Sequence, residues 1–132
     1  MLEKYYKYKN KYNNYLIIIK SGNFYEVLDK DAFIINRLFN YKIKTLSNTI
    51  ICGFPIKSID KVLCVLDDNH ISYYVDDINI MKEYDDNNYN NYDYDVSIIN
   101  YNIIRINKII NYLNENICNS ELIDRIEGIY EG

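Results

Sequence analysis

Apolar positions change their period several times along this chain, and each change marks an element. Residues Leu2 to Tyr12 bring Leu2, Tyr5, Tyr6 and Lys9 near one face of a helix and spread Lys4, Lys7 and Lys11 over the other, which suits a short surface helix. Tyr15 to Ile19 is an unbroken apolar run with three consecutive isoleucines. It needs burial on both faces and predicts a central strand. From Phe24 to Asn40, Leu28, Ala32, Ile35 and Phe39 recur at four, three and four residues, which predicts a helix with one core stripe. Gly22 allows a tight turn, Asn23 can act as N-cap, and Glu26 three residues on completes a capping-box pattern. The segment Gly22 to Glu26 is therefore expected at a strand-to-helix junction.

Further along, Lys42 to Leu46 alternates as a half-exposed strand does, Ser47-Asn48 turns the chain, and Thr49 to Cys52 reads as the next strand, ended by Gly53-Phe54-Pro55. Ser58 is placed to cap a helix from Ile59 to Asp68 with Ile59, Val62, Leu63 and Leu66 inward. Asn69-His70 turns into the strand Ile71 to Val75. Asp85 to Asp95 is polar and of low complexity, the pattern of a mobile acidic loop. Val96 to Ile99 is expected to add a strand, Ile103, Ile106, Ile110 and Leu113 to stripe a helix ending near Asn116, and Leu122, Ile123, Ile126 and Ile129 a second helix to about Tyr130.

Charge changes this picture. The net of −4 opposes a nucleic-acid partner, but Met1 to Lys61 carries eleven Lys and Arg against five Asp and Glu, a net of +6, while Asp67 to Asp95 carries nine acids against one lysine, a net of −8. A basic front half precedes an acidic segment. Cys52, Cys64 and Cys118 are widely spaced and His70 is the only histidine, which argues against a disulfide framework, a zinc site or any metal, and fits a cytoplasmic protein. No apolar run approaches membrane-spanning length. No Gly-x-x-x-x-Gly-Lys-[Ser/Thr] loop, Gly-x-Ser-x-Gly elbow or His-Glu-x-x-His helix occurs, so neither catalysis nor a cofactor is expected. Adjacent carboxylates such as Asp67-Asp68 and Asp76-Asp77 read as solvated.

Gly22-Asn23-Phe24-Tyr25-Glu26 resembles the Gly-Asp-Phe-Tyr-Glu element of the MutS mismatch-recognition domain, and Cys52-Gly53-Phe54-Pro55 is similar to that family's Ala-Gly-Ile-Pro. The intervening elements come in the family's order, and the resemblance covers roughly the first 77 residues. It implies that Phe24 wedges beside a mispaired base and that Glu26 hydrogen-bonds that base. On the residues alone Phe24 reads as an extension of the core stripe; the resemblance instead favours an exposed wedge, with Tyr25 the better candidate for burial.

The sequence thus predicts an α/β fold, a mixed sheet flanked by helices, like the MutS amino-terminal domain, with two extra C-terminal helices. Residues 1–80 form the recognition-like core, 81–95 the acidic loop, and 96–132 an extension packed on the same domain. The expected function is binding of double-stranded DNA bearing a mismatch or an unpaired base, through Phe24, Glu26, Asn23, Lys20, Lys42, Lys44 and Lys57, with a repair protein as a second partner. The other reading is a non-catalytic protein-interaction module that docks through the C-terminal helices.

Overall fold

A computed structural model describes residues 2–131. The chain divides into two compact units, the first ending at Tyr94 and the second starting at Asp95. The first contains α1 (Leu2–Lys11), β1 (Leu16–Ser21), β2 (Phe24–Leu28), α2 (Asp29–Phe39), β3 (Ile43–Leu46), β4 (Thr49–Pro55), a 3-10 turn at Ile56–Ser58, α3 (Ile59–Asp68), β5 (Tyr73–Val75), β6 (Ile80–Lys82) and a second 3-10 turn at Asn88–Asn91. The second holds α4 (Val96–Glu115) and α5 (Ser120–Glu131).

The six strands form one mixed sheet in the order β3-β4-β2-β1-β5-β6. The apolar run is central as expected: β1 pairs antiparallel with β2 and parallel with β5, and Leu16 to Ile19 are buried. Side chains alternate along each strand, so register defines the two faces. On one face lie Ile17, Ile19 and Ser21 of β1, Leu28, Glu26 and Phe24 of β2 across from them and from β4, and Ile51 and Gly53 of β4. Tyr5 of α1 packs there with Ile17, Ile19, Leu28 and Tyr74, and Tyr8, Tyr12 and Tyr15 close around them. The opposite face carries Ile18, Val27, Cys52 and Phe54, all fully buried.

Three expectations need correction. Phe24 to Leu28 is a strand, not the first turn of a helix, and the helix begins only at Asp29. Gly22, with φ +61°, and Asn23 form the two-residue turn of a β-hairpin, so Asn23 caps nothing. Aromatic and β-branched side chains alternating inward and outward fit a strand in a sheet, and that pairing overrides a local capping signal. Second, Val96 to Ile99 opens a 20-residue helix. The Asp95 carboxylate accepts from the backbone N–H of Ser97 and Ile98, an N-cap the acidic context concealed. Third, the acidic stretch is not a loose loop. The side chain of Asn87 accepts from the N–H of Ser72 and Tyr89, and Tyr89 is buried.

Tyr89 reaches a buried polar hub. Asp31, in the first turn of α2, is fully buried and accepts from the hydroxyls of Tyr5 and Tyr89, from the N–H of Ile17 at 3.0 Å and from Lys9 Nζ at 2.8 Å. Lys9 also donates to the Tyr15 carbonyl and to the Tyr89 hydroxyl. β2 ends at Leu28, and the Asp31 carboxylate takes up a β1 N–H beyond that end. Burial pulls the Lys9 ammonium below the ordinary lysine range although Asp31 favours its charge. One carboxylate thus ties together α1, β1, α2 and the acidic stretch.

Candidate nucleic-acid interface

α1 covers only part of its sheet face. The remainder is a concavity of about 320 Å³ lined by Ser21, Phe24, Glu26, Lys42, Lys44, Ile51 and Gly53. Register explains the grouping: Phe24 pairs with Ser21 and Pro55, Glu26 with Ile19 and Gly53, and Lys44 with Ile51. Phe24 and Glu26 stand two residues apart on β2 and share a face. Phe24 is 53% exposed, whereas Tyr25 beside it turns to the other face, is 2% exposed and packs on Phe54 at 5.7 Å between ring centroids. Strand alternation, rather than position in a helical turn, makes one ring exposed and its neighbour buried.

The Tyr25 hydroxyl donates to Asp77 at 3.0 Å, and burial, reinforced by that carboxylate, pushes its pKa up to about 12. Asp76 holds Lys4 of α1 at 2.5 Å. Asp76 and Asp77 are therefore engaged with α1 and β2 respectively, Asp77 at an exposed position. Burial alone would raise the Asp76 pKa, but hydrogen bonds from Lys4 and Tyr8 and the lysine charge bring it below the ordinary carboxylate value.

The site residues expected from sequence separate into two groups. Phe24, Glu26, Lys42 and Lys44 come together around the concavity. Lys20 pairs with Tyr25 across β1 and β2 and so belongs to the opposite face, exposed at the strand end. Asn23 is an exposed turn residue whose carbonyl accepts from Ile56 N–H at 3.4 Å. Lys57 is exposed on the 3-10 turn that follows Pro55, the strand partner of Phe24, and does not line the concavity. In α1, Lys9 is committed to Asp31 and Lys4 to Asp76.

Sequence reasoning did not single out Ser21, Ile51 and Gly53. They are neighbours of Phe24 and Glu26 only across strands, so the one available signal was Gly53 inside the Cys-Gly-Phe-Pro motif. A Cβ there would stand 3.5 Å from the Tyr25 carbonyl oxygen and 3.8 Å from Glu26 Cγ. A methyl fits, but a longer side chain would project from the face Glu26 shares and occupy the concavity. Among the described residues, no group of three or more His, Cys, Asp and Glu is placed to hold a metal ion. Cys52 is buried and Cys64 and Cys118 are exposed, all three as free thiols. No described helix is long and apolar enough to cross a membrane.

Comparison with known proteins gives the family. The model of MutS domain I matches residues 1–106, through the acidic stretch and into α4, beyond Asp77 where the recognisable motifs stop. Relatives include the DNA mismatch repair protein MutS of Ehrlichia chaffeensis and that of Thermosipho melanesiensis, each 30% identical over 63 residues, which is 48% of this chain and 8% of the relative. The DNA mismatch repair protein MutS of Borreliella afzelii is 34% identical over 55 residues, 42% of this chain and 6% of the relative. With the family model matching most of its length, the chain belongs to the MutS domain I family.

Proposed function

We propose that this chain binds duplex DNA at a mismatch or an unpaired base, with Phe24 as the inserted wedge and no catalysis. The observation that carries the reading is the placement of Phe24, a ring 53% exposed on a sheet face whose other half is sealed by α1, beside a carboxylate and two lysines. An aromatic ring left half exposed at that position is not accounted for by core packing alone. A mispaired step costs less to unstack than a paired one, so a ring inserted from the minor groove kinks such a site more cheaply.

Glu26 cannot add affinity through charge, because phosphates repel it. Its carboxylate can accept a hydrogen bond from the exocyclic or ring N–H of a displaced base, which discriminates between bases rather than strengthening binding to all. Lys42 and Lys44 flank the same hollow and can neutralise phosphates beside the opened step, with exposed Lys57 contributing outside the concavity, whereas Lys20, on the opposite face, is not placed to reach the same step. The family assignment and the mismatch repair names of the relatives support the same reading.

Fluorescence anisotropy with matched, mismatched and one-base-bulge duplexes across a salt series tests it. Wild type is expected to prefer the mismatched and bulged duplexes. Phe24→Ala should erase that preference and keep the salt-dependent background binding. Equal preference in wild type and variant would remove Phe24 from the role of wedge.

A further inference from the structure

The second unit presents more apolar surface than a solitary helix pair can bury. Two stripes run along α4. Ile99, Ile103, Ile106, Ile110 and Leu113 form one. Ile98, Tyr101, Ile109 and Tyr112, with Arg105 between, form the other at the three-four spacing of a helix-packing seam. α5 has a single stripe, so it can cover at most one of the two. In the second stripe Ile98, Tyr101, Ile109 and Tyr112 are all more than half exposed, at 57%, 61%, 56% and 54%. A groove of about 440 Å³ also opens between the end of α4 and α5, lined by Leu113, Ile117, Ile123, Ile126, Glu127 and Tyr130 among others.

We propose that these surfaces are covered by a second copy of the chain, α4 of one copy lying against α5 of the other in a four-helix bundle. Two observations select this occupant. Charge is divided between the helices: α4 carries Arg105 and Lys108 against Glu115, while α5 carries Glu121, Asp124, Glu127 and Glu131 against Arg125. Arg125 is already paired with Glu121 within α5. Arg105 stands mid-helix in the exposed stripe and Glu127 lines the groove, so crossing the helices between copies sets opposite charges face to face, and two-fold symmetry does so twice. Area is the second. Tyr101, Tyr112 and Tyr130 are 61%, 54% and 87% exposed. At roughly 150–250 Å² per buried aromatic side chain they alone offer on the order of 300–500 Å² per copy. The isoleucines bring the total toward the roughly 800 Å² per partner of a stable interface.

The proposal is independent of DNA binding, because every residue it uses lies in the second unit. Sedimentation equilibrium of the full chain over a concentration and salt series tests it. A dimer is expected for wild type, with Ile109→Asp giving monomer. Arg105→Glu and Glu127→Arg should each weaken association by about threefold to tenfold, and the double variant R105E/E127R should recover most of the loss. Circular dichroism of each variant confirms that the helices persist; since Ile109 and Arg105 are exposed, their replacement leaves the packed interior intact. A chain that stays monomeric at every concentration, or a dimer indifferent to Ile109→Asp and to both charge reversals, overturns the proposal.

Discussion

One sheet face, built from β1, β2 and β4, is treated in two different ways. Over Ile17, Ile19 and Leu28 it is closed by the tyrosines of α1, and the closure is secured by buried Asp31 paired with part-buried Lys9. Two residues further along the same strands, at Ser21, Phe24 and Glu26, nothing covers it, and the side chains become a ring, a carboxylate and flanking lysines. In the closed half apolar groups are hidden and a charge is buried with four partners. In the open half an apolar ring is half exposed beside a carboxylate and two lysines. The packed core and the proposed recognition site are thus separated along a strand, within one or two residues of each other.

That separation makes predictions. Asp31→Ala leaves Lys9 buried without its partner and strips acceptors from two tyrosines and a strand N–H. It should cost roughly 3–5 kcal/mol, read from urea unfolding, and so threaten the fold itself. Phe24→Ala in the open half should reverse the pattern, with stability within about 0.5 kcal/mol of wild type and a loss of mismatch discrimination of up to a few kcal/mol in duplex titrations. Matching stability losses for the two would dissolve the distinction between the halves.

Smaller effects sharpen it. Lys44→Ala should weaken matched and mismatched duplexes alike and lower the slope of log affinity against log salt by about 1; a selective loss on mismatches would instead make Lys44 a reader of bases. Tyr25→Phe removes the hydroxyl that reaches Asp77, with an expected cost of about 1 kcal/mol in unfolding and little change in background DNA binding. The smallest effect is pH-dependent. The folded-state pKa of Asp76 lies below its unfolded value, so its contribution is present above the unfolded value and fades as pH falls through the folded one. Asp76→Asn should therefore lower Tm near neutrality and converge with wild type in strong acid, a trend visible in thermal scans at several pH values.

How much of this was legible beforehand depended on whether the signal was local. α3 runs from Ile59 to Asp68 and β1 is central, as their periodicities required, and α1 closely follows the apolar-basic pattern of the first residues. Phe24 and Glu26 were singled out as candidates by their resemblance to a motif, but were placed on the wrong element. An asparagine three residues before a glutamate reads the same whether it caps a helix or turns a hairpin. The competing reading, in which Phe24 continued the stripe of Leu28 and Ala32, failed for the same reason, since strand alternation sets the direction of that ring. Asp31 and Tyr89 gave no signal, because each matters only through contacts many residues distant in sequence.

The amino-acid sequence by itself determined the order and kind of most elements, the centrality of the isoleucine run and the basic front half, and its resemblance to a motif singled out Phe24 and Glu26 as candidates. These rest on spacing within about ten residues, which periodicity and turn chemistry express directly. Only the tertiary structure decided that β2 is a strand, that Lys42 and Lys44 join Phe24 and Glu26 while Lys20 falls on the other face, and that the acidic stretch anchors Tyr89 on Asp31. Strand register and buried polar pairing are properties of the assembled sheet, because which face a side chain meets is fixed by its partner strand and not by its neighbours in the chain.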